Sequence, residues 1–104
     1  MTTLMIDRSM AGFEQRAAEA AAMLKSLANE KRLMILCKLL EHGEMSVMPL
    51  SEAVDLSQSA LSQHLAKLRD ESVVECRRDG QTMHYRLASA DAMRLLKTLK
   101  SIYC

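Results

Sequence analysis

Apolar residues recur every three or four positions through most of the chain, and they alternate with polar residues in one later stretch. The first pattern predicts amphipathic helices over about 9–26, 29–42, 49–54, 57–71 and 89–104. The alternation in VVECRRDGQTMHYRL predicts two strands joined by a turn at Asp79-Gly80. A short strand is also expected at Ser46-Val47. The predicted order is therefore helix, helix, strand, helix, helix, strand, strand, helix.

This order is typical of a winged helix-turn-helix, a mainly α fold in which a small β-hairpin, the wing, follows the second helix of the pair. An Asp-Gly loop allows positive φ at both central positions, so we expect Arg78 to pair with Gln81 and Val74 with Tyr85. The inward face of the hairpin is then Val74, Cys76, Met83, Tyr85 and Leu87. With 104 residues, 49% of them hydrophobic, and no repeat, the chain is expected to form a single domain.

The helix that follows Ser57 is the strongest candidate for contact with DNA. Leu61, Leu65 and Leu68 fall on one stripe, whereas the opposite face has small, uncharged polar side chains. Such side chains donate and accept hydrogen bonds at base edges in the major groove, and the amides of the first turn can bind a phosphate. The expected contacts on this helix are Gln58, Ser59, Ser62, Gln63 and Lys67. A solvated polar face without a ligand is the alternative.

The tip of the predicted wing is basic. Arg77 and Arg78, together with Gln81, are expected to contact the phosphate backbone or the minor groove, and ordinary surface charge is the alternative. The formal net charge of +1 conceals an asymmetry, because residues 1–56 have six basic against eight acidic side chains and residues 57–104 have eight against five. The half of the chain that contains both candidate DNA elements is the basic half.

Other classes of protein fit this sequence less well. No run approaches the length of a membrane span and no secretion signal is visible, so we expect a cytoplasmic protein whose three cysteines are thiols. The sequence has no nucleophile elbow, no glycine-rich phosphate loop and no Cys-x-x-Cys, so neither an enzyme nor a cofactor is expected. A winged helix that binds only another protein stays open as the alternative to a DNA-binding one.

Three segments resemble the ArsR/SmtB family of bacterial winged-helix repressors: LANEKRLMILCKLL, LSQSALSQHLAKLRDE and RRDGQTMHYRL. The likeness covers nearly the whole chain. It implies a homodimer, formed through about 9–26 and 89–104, that binds a near-palindromic operator in double-stranded DNA and releases it when an inducer binds. About 49–71 would read the DNA and 73–88 would form the wing. A domain this small cannot bury both terminal apolar stripes alone, which agrees with a dimer.

The metal ligands of the family are mostly missing. Its arsenic- and cadmium-binding members have a Cys-x-Cys before the third helix, where this chain has Ser46 and Met48, and neutral side chains do not replace two thiolates. Its zinc- and nickel-binding members use a carboxylate and histidines on the last helix, where this chain has Asp91 and no histidine. No metal site is therefore predicted.

Two of the cysteines match another branch of the family. Cys37 and Cys104 resemble the dithiol of the persulfide-responsive members, which is bridged by oxidation or by polysulfide with loss of DNA affinity. The resemblance implies a redox dithiol of Cys37 and Cys104, with reactive sulfur species as the inducer. Taken alone, Cys37 fits a buried stripe of its helix, and Cys76 is expected to be structural. A regulator that binds DNA constitutively, or that displaces another DNA-bound protein, is the alternative.

Overall fold

Residues 10–104 are the part of the chain that the structure, a computed structural model, describes. The helices are α1 (Ala17–Leu27), α2 (Glu30–His42), α3 (Val47–Val54), α4 (Gln58–Asp70) and α5 (Ala90–Tyr103). The strands are β1 (Met45–Ser46), β2 (Val74–Asp79) and β3 (Thr82–Leu87). Residues 10–15 are also helical and lead into α1 through a turn at Arg16, while the predicted start at about residue 9 lies outside the described residues. The order of elements confirms the predicted mainly α fold with a hairpin wing.

The core consists mainly of leucine, isoleucine and valine side chains from all five helices and the base of the wing. The predicted stripe of α4 is confirmed, because Leu61, Leu65 and Leu68 are all fully buried. The opposite face of α4 is thereby turned toward solvent. Burying a leucine side chain contributes about 2 kcal/mol, so this stripe determines how the helix sits.

The prediction for the buried face of α2 is wrong at Cys37. The buried residues of this helix are Ile35, Leu36 and Leu39, and Cys37 is exposed. On a helical wheel Cys37 lies about 150° from the centre of that face. The helix packs against α3, β3 and α5 through the buried residues, which leaves the thiol on the side toward the C-terminal end of α5.

Side-chain caps begin three of the helices where the sequence predicts them. Asn29 accepts a hydrogen bond from the amide of Arg32 at 3.1 Å, and Ser57 accepts one from Ala60 at 3.1 Å. Ser89 caps α5 in the same way, at 3.0 Å from the amide of Ala92. Each cap satisfies an amide that lacks a partner within its helix, which contributes about 1 kcal/mol. The start of the candidate DNA-reading helix is thus determined locally.

The turn between α3 and α4 orients the two helices of the helix-turn-helix. Asp55 has a left-handed backbone, with φ of 54°, and ends α3. The Ser51 hydroxyl donates to the carbonyl of Leu56, and the Lys31 ammonium donates to the carbonyl of Val54 at 3.0 Å. The bond from Lys31 satisfies the last carbonyl of α3 and connects the turn to α2, while the bond from Ser51 satisfies a carbonyl within the turn.

The sheet has the order β1-β3-β2, and its hairpin differs from the prediction in register. Val74 pairs with Leu87 and Arg78 with Met83, so the loop is Gly80-Gln81 rather than Asp79-Gly80. Within this loop only Gly80 has positive φ, at 64°, which is the pattern of a type II′ turn rather than type I′. The pairing shifts by two residues, and since strand faces alternate with a period of two, the same side chains still face inward.

The first strand and the third helix also begin earlier than predicted. Strand β1 is Met45–Ser46, which pairs with Tyr85 and His84 of β3. Val47, predicted to belong to the strand, is instead the first residue of α3. Pro49 is tolerated because it lies in the first turn, where a backbone N–H has no partner within the helix.

Candidate nucleic-acid interface and thiol site

The outer face of α4 has the polar side chains that the sequence assigns to DNA reading. Gln58, Ser59, Ser62, Gln63 and Lys67 are all exposed. On the helical wheel Ser59, Gln63 and Lys67 lie opposite the buried leucines, Ser62 lies to one side, and Gln58 in the first turn lies closer to the leucine stripe. The side chain of Ser57 accepts its hydrogen bond from the amide of Ala60. The amides of Gln58 and Ser59, at the exposed start of the helix, are therefore not used by this cap. The face can therefore present hydrogen-bonding groups to base edges and an amide pair to a phosphate.

The two arginines of β2 have different surroundings. Arg78 lies opposite Met83, one pair back from the loop, is exposed, and shares its strand face with Val74 and Cys76. Arg77 lies on the opposite face and forms a bidentate ion pair with Glu44: the distances are 2.6 Å from Nη2 to Oε1 and 3.3 Å from Nε to Oε2. Both arginines were assigned to DNA contact from the sequence, and that assignment stays a prediction. Gln81 is exposed in the loop itself.

Glu44 is a residue that the sequence reasoning missed. It follows Gly43, which ends α2, and it reaches the wing because β1 and β2 flank β3 on either side. The hydrogen bond from Arg77 is the main cause that lowers the pKa of the Glu44 carboxyl, while partial burial opposes it. Its oxygen is also 4.0 Å from Nδ1 of His84. Only the pairing of β1 with β3 reveals this contact, and a two-residue strand gives almost no pattern in a sequence.

Cys37 and Cys104 line the same cavity, of about 740 Å³, between α2 and the C-terminal end of α5. The cavity wall includes Leu40 from α2 and Lys100 and Tyr103 from α5. Two cysteines that are far apart in the sequence are thus brought to one site. Cys76 lies elsewhere, half-buried on β2 opposite Tyr85.

The surroundings of Cys37 favour the protonated thiol. Loss of hydration beside the apolar cavity wall raises the pKa of Cys37, and the nearby Cys104 raises it further. Lys100 acts in the opposite direction, since a positive charge stabilises the thiolate. A thiolate is the nucleophile in sulfur exchange, so Lys100 determines part of the reactivity of this site.

Neither a metal cluster nor a membrane helix is found in the described part of the chain. Among residues 10–104, no three histidine, cysteine or acidic side chains come together in a group that could hold a metal ion. Ser46 and Met48, the residues at the family's Cys-x-Cys positions, lie at the β1–α3 junction. Over the same residues no helix combines the length and apolar character needed to cross a bilayer.

Comparison with known proteins identifies the family of the chain. The transcriptional activator HlyU of Vibrio cholerae is 47% identical over 91 residues, which are 88% of this chain and 83% of the relative. The chain belongs to the ArsR family. The family model described as "Bacterial regulatory protein, arsR family" matches residues 29–75, from the cap of α2 into β2.

Solved structures of ArsR-family proteins share this fold. The crystal structure of the transcriptional repressor BigR from Xylella fastidiosa superposes with a TM-score of 0.86 at 41% identity, covering 91% of this chain and 96% of that one. The biofilm growth-associated repressor of Agrobacterium fabrum is 44% identical over 88% of this chain and 77% of the relative. These relatives confirm the winged-helix prediction. The chain is a DNA-binding transcriptional regulator, and its relatives are regulators rather than enzymes.

Proposed function

We propose that this ArsR-family protein is a homodimeric transcriptional repressor that acts in the cytoplasm. It leaves its operator when Cys37 and Cys104 are bridged by reactive sulfur species or another oxidant. The observation that supports this proposal most strongly is the cavity that both thiols line, at the junction of α2 and α5. Helix α2 packs against the helix-turn-helix, and α5 is one of the two helices proposed to join the subunits.

Exposed apolar side chains support association through the first and last helices. Phe13 and Leu24 are 56% and 58% exposed, and Ile102 and Tyr103 at the end of α5 are 64% and 81% exposed. Phe13 and Leu24 also line an open groove of about 930 Å³ together with Leu95 of α5. Large apolar side chains grouped in this way mark interfaces between proteins. A two-fold dimer would present two copies of α4 to successive major grooves of a near-palindrome.

The bridging chemistry needs only a sulfane-sulfur donor. The thiolate of one cysteine attacks the outer sulfur of a persulfide RSSH, which forms a cysteine persulfide and releases the thiol RSH. The second cysteine thiolate then attacks the sulfur that is bound to carbon, which forms the disulfide and releases hydrosulfide. If the cysteine persulfide first gains one more sulfur from a second donor, attack at its middle sulfur forms a trisulfide instead.

A bridge that contains added sulfur tolerates a wider range of thiol separations than a direct disulfide. A direct disulfide requires Cα atoms within about 7 Å, and each intervening sulfur relaxes that requirement. Either bridge ties α2 to α5 and thus connects the reading head to the proposed dimer interface. The spacing of the two α4 helices would then change, and a duplex with fixed groove spacing would be released.

The test measures operator affinity before and after treatment with inorganic polysulfide. We expect the wild-type protein to lose affinity, whereas Cys37→Ser and Cys104→Ser each stay on the DNA. Cys76→Ser is the matched control, because Cys76 lies outside the cavity, and it should respond as the wild type does. A response that survives the loss of Cys104 would refute the dithiol switch and leave a DNA-binding regulator with another inducer.

A further inference from the structure

Glu44 holds Arg77, one of the two arginines of β2. The guanidinium contacts both carboxylate oxygens, at 2.6 and 3.3 Å, in the fork-like geometry that arginine adopts with planar anions. The hydrogen bond from Arg77 lowers the pKa of Glu44, so the carboxylate is charged throughout the neutral range. The pair thus holds a negatively charged carboxylate against Arg77, a side chain that the proposed function assigns to DNA contact.

The sheet explains why this pair forms. Arg77 on β2 lies directly opposite His84 on β3, and His84 lies opposite Ser46 on β1. Glu44 immediately precedes β1, so the arginine side chain reaches across β3 to meet it. Arg78, the neighbouring residue, lies on the other strand face and has no ion-pair partner among residues 10–104.

We propose that Glu44 competes with the phosphate backbone of DNA for Arg77 and thereby lowers the DNA affinity of the protein. This proposal rests on the proposed function, in which the wing contacts the operator. A guanidinium uses the same pair of N–H groups for a carboxylate and for a phosphate. Arg77 must therefore leave Glu44 before it binds DNA, whereas Arg78 is available throughout.

The strength of the pair is suited to this competition. The side chains of Arg77 and Glu44 are 49% and 29% exposed, and ion pairs that reach solvent are weak. DNA can therefore displace the carboxylate, at a cost in affinity. Glu44 therefore lowers the affinity for DNA without abolishing binding.

The test is the substitution Glu44→Gln, which removes the charge and keeps the size of the side chain. We expect the variant to bind operator about two- to fivefold more tightly for each subunit, the factor that corresponds to a solvent-exposed ion pair. The slope of log affinity against log salt should stay near that of the wild type, because Arg77 neutralises the same phosphate in both proteins once it has left Glu44.

A matched control is available on the same sheet. Glu75 pairs with Arg86 at 2.5 Å, and the two side chains are 50% and 53% exposed. Glu75→Gln therefore also removes one negative charge from an ion pair of the wing. It measures the general electrostatic effect on DNA affinity, and its salt slope should stay that of the wild type. The gain from Glu44→Gln should vanish in an Arg77→Gln background, as a double-mutant cycle requires.

Three outcomes would overturn the proposal: weaker binding by Glu44→Gln, a gain no larger than that of Glu75→Gln, or a gain that persists without Arg77. Thermal unfolding of each variant separates a change in DNA contact from a change in stability. If Arg78→Gln also leaves affinity and salt slope unchanged, the wing makes no phosphate contact, and that part of the proposed function fails instead.

Discussion

At the scale of single residues, we propose that base reading belongs to α4 and phosphate binding to the wing. Gln63 is exposed on α4 opposite the buried leucines, where its amide can form paired hydrogen bonds with a base edge. Arg78 is exposed near the tip of the wing, where we propose that its charge contacts the DNA backbone whatever the base sequence. Substitution of the two residues should therefore have different signatures.

Gln63→Ala should lower operator affinity by about 1–3 kcal/mol and leave affinity for random DNA nearly unchanged. Arg78→Ala should weaken binding to both DNAs and reduce the salt slope by about one unit for each subunit bound. Fluorescence anisotropy with an operator duplex and a scrambled duplex, at several salt concentrations, measures both effects. An equal loss on both duplexes for Gln63→Ala would show that α4 does not read bases through this side chain.

The raised pKa of Cys37 leads to a prediction about reactivity. Below that pKa the thiolate fraction rises about tenfold per pH unit, so alkylation of Cys37 should accelerate with pH up to a higher pH than for an ordinary thiol. Cys104 raises this pKa only as a thiolate, so Cys104→Ser should speed the reaction in the alkaline range. Lys100→Gln removes a group that lowers it and should slow the reaction. Identical pH profiles for all three proteins would contradict the electrostatic role given to these neighbours.

At the scale of elements, one hydrogen bond connects α1 to the end of the reading helix. The hydroxyl of Ser26, which is 3% exposed, donates to the carboxylate of Glu71 at 2.6 Å. Glu71 is the residue that follows α4. The contact thus ties a helix proposed to join the subunits to the helix proposed to read DNA.

Ser26→Ala should lower the free energy of unfolding by about 1.5–3 kcal/mol, the contribution of a hydrogen bond to a charged group. Operator affinity should fall more than affinity for random DNA, because α4 is held less firmly relative to α1. Ser101→Ala is the control, since Ser101 is exposed and donates only to a carbonyl of its own helix, that of Thr98. Denaturant unfolding and anisotropy provide the two readouts, and equal effects of both substitutions would contradict the link.

The elements also show where sequence reasoning succeeds and where it fails. The stripe of α4 and the caps Asn29, Ser57 and Ser89 were predictable, because they depend on local periodicity and on hydrogen bonds within one turn. The register of the hairpin was not predictable, because Gly80 can be either the first or the second residue of a two-residue loop. Only the pairing of β2 with β3 decides between them. The exposure of Cys37 depends on which side of α2 meets α3 and β3, which is a tertiary property.

The candidate site follows the same division. The exposure of the polar side chains of α4 was predictable from local pattern, whereas the pairing of Cys37 with Cys104, which both line one cavity, was implied only by family resemblance and stays a prediction. Glu44 could not be found, because its partner is distant in the sequence and on another strand. Contacts across the sheet thus carry the information that the helical patterns lack.

At the scale of the whole molecule, the exposed apolar side chains predict association. Leu24 is 58% exposed on α1 and lines the groove against α5, so Leu24→Glu should place a charge in the proposed interface. We expect this variant to be monomeric in sedimentation and to lose operator affinity. Lys25→Glu, a neighbouring change to the same residue type, is the control and should stay dimeric. A Leu24→Glu protein that sediments as the wild type does would exclude this face from the interface.

The most direct test of the switch is one titration that follows the bridge and the DNA together. Reduced protein bound to a fluorescent operator is treated with increasing inorganic polysulfide, and each sample is divided between anisotropy and mass spectrometry after alkylation of free thiols. The proposed switch predicts that the fraction of Cys37–Cys104 bridge and the fraction of released DNA rise together, and that a thiol reductant reverses both. Release before the bridge forms, or a complete bridge with the DNA still bound, would contradict it.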